Sequence, residues 1–416
     1  MYHKEMRINI KGFLFRTIIL LMLINLILPA ITGSWIKVGT YSIAYTYIFN
    51  YSTITSVCSY IAIFLIYILL ALCIYNNKKR GRINLIVALS TLVFTIWSVI
   101  SIFEASAQEV LLGDISTNLS LIPLFYLLGY EKRIFEEAKK IVPYVVVIMI
   151  GLILWTSMLF ILHNGITAET RSSPSKEMFS IAISAYWCYS LAMPSSKKYN
   201  KVFKYTIGMC LLICAFLIRS RSWVIQCILV LYTTLALTPG KRGLFRKIIS
   251  IFIVILVIVL IVNLFPNITG ALFSRIGEDT RSGQYDAFFS QIELINLIWG
   301  QGINASYSFL GNPNYKYFDN QYLYIMFHYG AIPILCVLGI ISGLFRKMHK
   351  SNLTKDEVAF IVGCRLISIF FLAALGGLSV YYKLGWNVGT ILTFVFIGRA
   401  HKIIKDSREI KLVKKD

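Results

Sequence analysis

Pro143-Tyr-Val-Val-Val-Ile-Met-Ile-Gly-Leu-Ile-Leu-Trp-Thr-Ser-Met-Leu-Phe-Ile-Leu162 contains no charged residue, and the segment before it carries Lys132, Arg133, Lys139 and Lys140. The hydrocarbon core of a bilayer requires about 20 apolar residues, so this stretch predicts a membrane-spanning helix. Lysine and arginine collect in cytoplasmic segments, so the basic cluster predicts that the span begins in the cytoplasm. The same pattern recurs along the chain, and this recurrence predicts a protein that crosses the membrane many times.

The composition agrees with a chain threaded repeatedly through a membrane. Residues are 57% hydrophobic and 14% charged, and the mean hydropathy is +0.71, which excludes an ordinary soluble domain of 416 residues. The formal net charge of +22 comes from short basic clusters at the ends of apolar runs. Nucleic acid is therefore not an expected partner, because this distribution is the one that orients membrane proteins.

Hydropathy and charge together predict an all-α, polytopic membrane protein with about twelve spans and both termini in the cytoplasm. Residues 1–416 form a single transmembrane helical domain in this interpretation. The span at 114–129 is diluted by polar residues, and its loss would invert part of the threading. The predicted spans are 13–32, 54–75, 83–103, 114–129, 143–162, 177–193, 205–218, 222–238, 248–265, 321–343, 358–380 and 386–398.

Residues 266–318, between the ninth and tenth predicted spans, form one long periplasmic loop. Apolar residues recur in it at helical spacing between a polar start at 279–282 and the glycines Gly300 and Gly302. This pattern predicts an amphipathic helix that lies at the membrane surface or caps the bundle. A structural lid without chemistry is the alternative. The apolar positions are Tyr285, Phe288, Phe289, Ile292, Ile295 and Trp299.

Two pairs of arginines lie in outward-facing connections. Arg219 and Arg221 occupy a tight connection between two apolar runs, against the insertion bias that the rest of the chain follows. Arg275 and Arg281 flank a turn that also carries acidic residues. Planar guanidinium groups suit phosphate oxygens, so both pairs are candidates for an anionic ligand. The alternatives are that Arg219 and Arg221 reach lipid phosphates, and that the second pair neutralises Glu278 and Asp279.

The segment Phe318-Asp-Asn-Gln-Tyr-Leu-Tyr-Ile-Met-Phe-His-Tyr-Gly330 leads from the long loop into the next span. Asp319 and Asn320 are predicted where water meets lipid, and His328 about two turns deeper. Asp319 is also a suitable helix N-cap, and His328 a suitable hydrogen-bonded interior residue. Arg365, inside the following span, is expected to have an interior partner.

In this order of elements the chain resembles the bacterial O-antigen polymerase and O-antigen ligase superfamily. Three features carry the resemblance: Arg-Ser-Arg-Ser at 219–222, the arginine-bearing outer loop, and Asp319-Asn320 followed by nine residues and Gly330. Topology resembles the family over most of the chain, and motifs do so over about 215–235 and 270–345. The ligases have a histidine where this chain has Asp319, which favours a polymerase.

The resemblance implies a GT-C-like membrane glycosyltransferase in the bacterial inner membrane. Such an enzyme joins undecaprenyl-diphosphate-linked oligosaccharide repeat units on the periplasmic face into O-antigen or capsular polysaccharide. An inverting, metal-independent reaction without a cofactor is expected. The lipid-linked oligosaccharide would be both donor and acceptor, and membrane lipids, a chain-length regulator and a flippase are the other expected partners.

Each candidate residue has an expected role in that reaction. Arginines would stabilise the charge of the departing lipid diphosphate, and a carboxylate would deprotonate the acceptor hydroxyl. Other polar residues near the entrance of the tenth span would contact sugar. The candidates are Arg219, Arg221, Arg275 and Arg281 for the diphosphate, Asp319, Asp279 and Glu278 for the base, and Asn320, Tyr322 and His328 for sugar.

Three other functions remain open from the sequence. An O-antigen ligase shares the frame of the motif. A transporter, including a flippase of lipid-linked oligosaccharide, fits the number of spans, although neither an internal repeat nor a matched pair of broken spans is visible. A purely structural membrane scaffold is the third.

Overall fold

The structure is a computed structural model that describes most of the chain. The described residues are 10–38, 42–47, 52–77, 116–164, 175–193, 198–218, 220–236, 280–316, 318, 320–378 and 387–413, with single residues and short groups between 89 and 96 and between 252 and 266. Their architecture is almost wholly helical, with two small antiparallel hairpins. The expected all-α fold is confirmed at this level.

Within the part of the chain that the structure describes, five helices are long and apolar enough to cross a membrane. Their candidate spans are Ile10–Thr32, Thr53–Cys73, Lys132–Leu162, Asn200–Leu217 and Lys355–Gly376. Each coincides with a predicted span, because long runs without charge bury best as helices in lipid. The predicted spans 83–103 and 248–265 lie outside the described residues, apart from isolated positions.

The helices and strands are labelled in chain order. The first group comprises α1 (Ile10–Thr32), β1 (Gly33–Val38), β2 (Ser42–Tyr47), α2 (Ser52–Asn77), α3 (Ser116–Tyr130), α4 (Lys132–Asn164), α5 (Ser175–Trp187), α6 (Lys198–Leu217) and α7 (Arg221–Ala236). The second comprises α8 (Thr280–Phe289), α9 (Leu294–Trp299), β3 (Tyr307–Phe309), β4 (Asn312–Tyr315), α10 (Gln321–Tyr329), α11 (Ile332–Ser342), α12 (Lys355–Ala373) and α13 (Val388–Val413). Short 3₁₀ turns lie at Gly343–Phe345 and Lys350–Asn352.

The last helix, α13, forms the centre of the bundle. Every residue from Val388 to Gly398 is buried, and α13 packs against α3, α5 and α12. The closest approach is to α3, where a side chain at Gly398 would collide with the carbonyl of Tyr126 and one at Gly129 with the carbonyl of Val395. Glycines allow two helix backbones to meet at this distance, which is a common device for packing helices in membranes.

Several predicted cytoplasmic segments meet at one end of this bundle. Lys11 on α1 forms a 2.7 Å ion pair with Glu131, and Arg16 pairs with Glu137 on α4. Lys140 also pairs with Glu137, at 2.9 Å. The segments 1–16 and 130–142 are therefore at the same end, as the threading predicts.

The C-terminal segment joins the same end through α3. His401 on α13 contacts Tyr126 and Tyr130, which precede Glu131. Asn352 donates to the carbonyl of Ser407 at 2.9 Å, which brings the segment 344–357 to this end as well. Arg365 donates to the carbonyls of Leu344 and Arg346, so its partners are backbone oxygens of the 3₁₀ turn that follows α11.

Two stretches of the bundle are wound as π-helix, Cys188–Ala192 after α5 and Ala374–Leu378 after α12. Each widens the end of a helix that began as α. Lys204 donates to the carbonyls of Ser190 and Met193, at 3.2 and 2.6 Å, and so caps the first. The second lies beside the candidate site.

The prediction of one helix over 321–343 is wrong. The chain forms α10 and α11 instead, with a break at Gly330 and Ala331. Two hairpins were not predicted either, β1 with β2 in the register Gly33↔Tyr47 and β3 with β4 in the register Tyr307↔Tyr315. Conversely, α13 continues well beyond the predicted end at residue 398.

Candidate functional site

Ser220 and Arg221, the second and third residues of the Arg-Ser-Arg-Ser motif, lie where α7 begins. The amide of Ser220 donates to the carbonyl of Ala215, and its carbonyl accepts from Trp223 and Val224, so Ser220 begins α7. Arg221 is the first residue of that helix, and its side chain is exposed. Arg219 lies outside the described residues. A helix N-terminus already carries partial positive charge, so Arg221 adds a cation of the same sign where an anion would be stabilised.

Two contacts fix this turn on the bundle. The buried ring of Trp223 stacks on Phe179 of α5, with centroids 4.4 Å apart and planes 11° from parallel. The hydroxyls of Ser220 and Ser222 lie 3.2 Å apart on either side of Arg221. The arginine therefore projects from a rigid base, which reduces the entropy that ligand binding would cost.

The motif Asn320, nine residues, Gly330 is one complete helix with both caps. The Asn320 side chain accepts from the amides of Tyr322 and Leu323, at 3.0 and 3.4 Å, and so begins α10. Gly330 ends it with φ 80°, and its amide donates to the carbonyl of Met326. Nine residues separate these caps, so the spacing in the motif is the length of α10.

Gly330 also joins α10 to α9. A side chain on Gly330 would meet the carbonyl oxygen of Ile298 at 2.3 Å, and one on Gly300 would meet the amide of Gly330 at 2.6 Å. Three backbone hydrogen bonds cross this contact, from Gln301 to Phe327, from Gly302 to His328 and from Ala331 to Ile298. We call these residues, Ile298–Gly302 and Phe327–Ala331, the glycine junction.

His328 ties a second part of the preceding segment to α10. Its buried ring lies with Nδ1 3.0 Å from the carbonyl of Gly302 and Nε2 3.4 Å from that of Lys316. The shorter contact favours the tautomer with the proton on Nδ1. His328 is therefore a backbone-bound interior residue, the alternative that the sequence left open beside sugar binding.

Residues 280–318 fold around a small aromatic core, and we call them the loop unit. The predicted single amphipathic helix is wrong in one respect, because Ser290–Glu293 divide it into α8 and α9. Gln284 donates to the hydroxyl of Tyr307 at 2.9 Å inside this core. Tyr307 is thus buried rather than presented to a sugar. The core residues are Phe288, Ile292, Leu297, Tyr307, Phe318 and, from α10, Phe327.

Tyr322 connects α10 to the bundle. Its hydroxyl donates to the carbonyl of Leu372 at 2.7 Å, and its ring lies against the backbone of Gly376. Both α10 and α7 contact the π-helical segment Ala374–Leu378, so the helices that carry the two motifs meet on one element. The π-helical form of this segment was not predicted, because Ala-Leu-Gly-Gly-Leu is also typical of the end of an ordinary span.

The remaining candidates are only partly described. Asp319, Asp279, Glu278 and Arg275 lie outside the described residues, and Arg281 belongs to α8 by its backbone alone. Asn320, Tyr322, His328 and Arg221 are positioned as given above. Among the described residues, no three His, Cys, Asp or Glu side chains come close enough to hold a metal ion.

No protein-family model matches the sequence, and no curated protein matches it. Conclusions about function must therefore come from the chemistry of the site.

Proposed function

We propose that this chain is a polymerase that joins undecaprenyl-diphosphate-linked oligosaccharide repeat units into O-antigen or capsular polysaccharide. The observation that carries the proposal is the meeting of α7 and α10 on the segment Ala374–Leu378. One helix begins with Arg221, and the other begins with Asn320 directly after Asp319. In this proposal Arg221 supplies the cation for the leaving group and Asp319 the carboxylate for the acceptor, from two helices that contact the same segment.

The chemistry needs both groups. A sugar hydroxyl of the acceptor attacks the anomeric carbon of the donor, and the bond from that carbon to the lipid diphosphate breaks. Negative charge grows on the departing diphosphate, so Arg219, Arg221, Arg275 and Arg281 stabilise the transition state. Asp319, or failing it Asp279 or Glu278, takes the proton from the attacking hydroxyl. The reaction requires neither metal nor cofactor in this scheme.

The proposed enzyme has about twelve spans in the bacterial inner membrane, with both termini in the cytoplasm. The ion pairs Lys11–Glu131 and Arg16–Glu137 support this threading, because they join two segments assigned to the same side. The contact of His401 with Tyr130 adds the C-terminal segment to that side. The turn 218–220 and the start of α10 would then face the periplasm.

The proposal is tested by deleting the gene and separating the surface glycan on a gel. A single repeat unit on the lipid core identifies a polymerase. Lipid-linked repeats accumulated on the periplasmic side would identify a ligase instead, and repeats trapped on the cytoplasmic side a flippase. Either of the last two results would contradict the proposal.

Complementation then tests the arginines. Arg219→Ala and Arg221→Ala should leave only single repeats, while the protein remains inserted and abundant. Arg221→Lys should restore part of the chain extension, because lysine supplies charge without the planar donor fork. Long polymer of normal length from both alanine variants would remove the diphosphate role.

A further inference from the structure

The loop unit leaves bulky apolar side chains uncovered. On α9, Leu294 is 71% exposed and Trp299 66% exposed, although Leu297 of the same helix is buried in the loop core. Leu294, Ile295, Ile298 and Trp299 span roughly 140° of the helix at 3.6 residues per turn. Neither Glu293 nor Asn296 falls within that arc. The exposed side of α9 is thus uniformly apolar.

The exposed apolar side of α9 is continuous with the exposed apolar side of α11. If α11 lies in lipid, the surface that continues onto α9 begins in lipid. The amide of Ala331 donates to the carbonyl of Ile298 at 3.0 Å, so α9 ends where the apolar helix α11 begins. Ile332 and Leu335, at the start of α11, are also exposed, Leu335 by 64%. Exposed apolar side chains therefore run from α11 across the glycine junction onto α9. If α11 lies in lipid, acyl chains cover the part of this surface that α11 contributes.

The tip of the β3–β4 hairpin carries another exposed apolar side chain, that of Leu310. Leu310 and Gly311 have φ of 52° and 76°, so both central residues of the turn are left-handed, as a type I′ turn requires. Asparagine or glycine normally occupies the first position, because a leucine there is sterically disfavoured. Leu310 is nevertheless 85% exposed. Neither turn geometry nor packing within the described residues accounts for a leucine at this position.

The hairpin is held against the turn that connects α8 to α9. The side-chain amide of Gln291 donates to the carbonyl of Ser308 at 3.0 Å, and its oxygen accepts from the amide of Ser308 at 2.9 Å. This paired contact stands two residues from Leu310 and three from Leu294. The hairpin that carries Leu310 is therefore hydrogen-bonded to the turn that precedes α9.

We propose that the loop unit is anchored in the membrane interface by the apolar face of α9 and by Leu310. The occupant of this surface is the outer part of the acyl-chain region of the bilayer, into which a tryptophan and aliphatic side chains partition favourably. Anchoring would hold the glycine junction and the start of α10 at a fixed depth. The anchor is independent of the glycosyl transfer proposed above.

Fluorescence quenching by lipids brominated on their acyl chains tests the anchor in the full-length protein in nanodiscs. Leu310→Trp should add emission that bromolipid quenches strongly and that aqueous acrylamide quenches weakly. Asp286→Trp, on the exposed side of α8, is the matched control and should show the opposite preference. Equal bromolipid quenching at the two positions would overturn the proposal. So would protection of position 310 from both quenchers, which would indicate a second protein copy on this surface.

Leu310→Asn separates anchoring from folding. Asparagine suits the type I′ turn, so the protection of 307–315 against hydrogen exchange should be unchanged or higher. Bromolipid quenching assigned to Trp299, measured as the difference from the matching Trp299→Phe variant, should fall at least twofold. Unchanged quenching, or a loss of protection in the hairpin, would show that Leu310 serves the fold rather than the membrane.

Discussion

The helical bundle and the loop unit differ in how completely they bury their apolar side chains. In the bundle, the middle helix α13 is covered on every side from Val388 to Gly398. The loop unit buries a few mostly aromatic side chains and leaves α9 and Leu310 uncovered. The bundle also exposes apolar side chains, such as Tyr144 and Leu162 on α4, but it does so around a fully buried stretch of helix, whereas the loop unit has only a small core.

The two regions share one helix. Ile325 and Tyr329 of α10 belong to the bundle core, while Phe327 belongs to the loop core. Since α10 begins at the Asn320 cap beside Asp319, the position of the candidate site depends on both cores. Variants that weaken one region and spare the other will show how tightly they are coupled.

The largest effect is expected from Phe288→Ala. Phe288 is fully buried and its ring contacts Tyr307, Phe318 and Phe327. Its removal should cost the loop unit about 3–5 kcal/mol. Hydrogen exchange should show lost protection over 280–318 and unchanged protection in α4. Phe289→Ala, at the half-exposed neighbour, should have a smaller effect, and equal losses for both would contradict a separate loop core.

The glycine junction should be the next most sensitive point. Gly330→Ala places a Cβ against the carbonyl of Ile298 and a left-handed φ on alanine, at a combined cost of about 2–4 kcal/mol. Limited proteolysis should then cleave between α9 and α10 without unfolding the bundle. Gly283→Ala is the control, because its Cβ would meet nothing and alanine favours a helix. A Gly330→Ala protein as resistant as wild type would disprove the locking role.

Acid should loosen the bundle at the end where the basic segments meet. Burial, together with the positive charges of Lys405 and Arg408, lowers the pKa of His401 from 6.5 to about 4. The contribution of His401 to the free energy of unfolding is fully present above pH 6.5, where the imidazole is neutral in both the folded and the unfolded state. It is lost as the pH falls toward 4. The loss at pH 5 is about 2 kcal/mol by that shift.

Unfolding in mixed micelles at pH 7 and pH 5 measures this loss. His401→Gln cannot titrate, so its stability should change less between the two pH values than that of wild type. An equal pH dependence for both proteins would show that another group is responsible.

The smallest effect on folding is expected at Asn320. Asn320→Ala removes the cap of α10 and should destabilise it by about 1 kcal/mol, whereas Asn320→Asp keeps an acceptor and should leave stability unchanged. Polymer length from the two variants then separates the roles of this residue. Normal polymer from Asn320→Asp indicates a cap alone, and short polymer from a stable Asn320→Asp protein indicates contact with substrate.

How far the sequence predicted the fold depends on the kind of information each element carries. The long spans in α1, α2, α4, α6 and α12 follow from long apolar runs with few charged residues, so hydropathy predicts them. The break at Gly330 cannot be predicted in this way, because the average hydropathy over 321–343 does not depend on the backbone angles. The same limitation concealed the division of the amphipathic helix, where Gln291 bonds to Ser308 rather than extending α8.

The motifs drew attention to two residues at helix starts, whereas their roles in binding and catalysis stay predictions. Arg221 and Asn320 were named from their motifs, and both stand at helix starts. No sequence pattern indicated the π-helical segment Ala374–Leu378, since its role arises from contacts with α7 and α10. The β3–β4 hairpin was hidden because Leu310-Gly311 lacks the asparagine that usually marks such a turn.

The most direct test of the central claim uses purified protein in nanodiscs with a synthetic undecaprenyl-diphosphate-linked repeat unit. Wild type should convert it to a ladder of longer oligosaccharides and release undecaprenyl diphosphate in equal number to the linkages formed. Arg221→Ala should bind the membrane and fold normally but release none. A ladder of wild-type length from Arg221→Ala, or no ladder from wild type, would contradict the account.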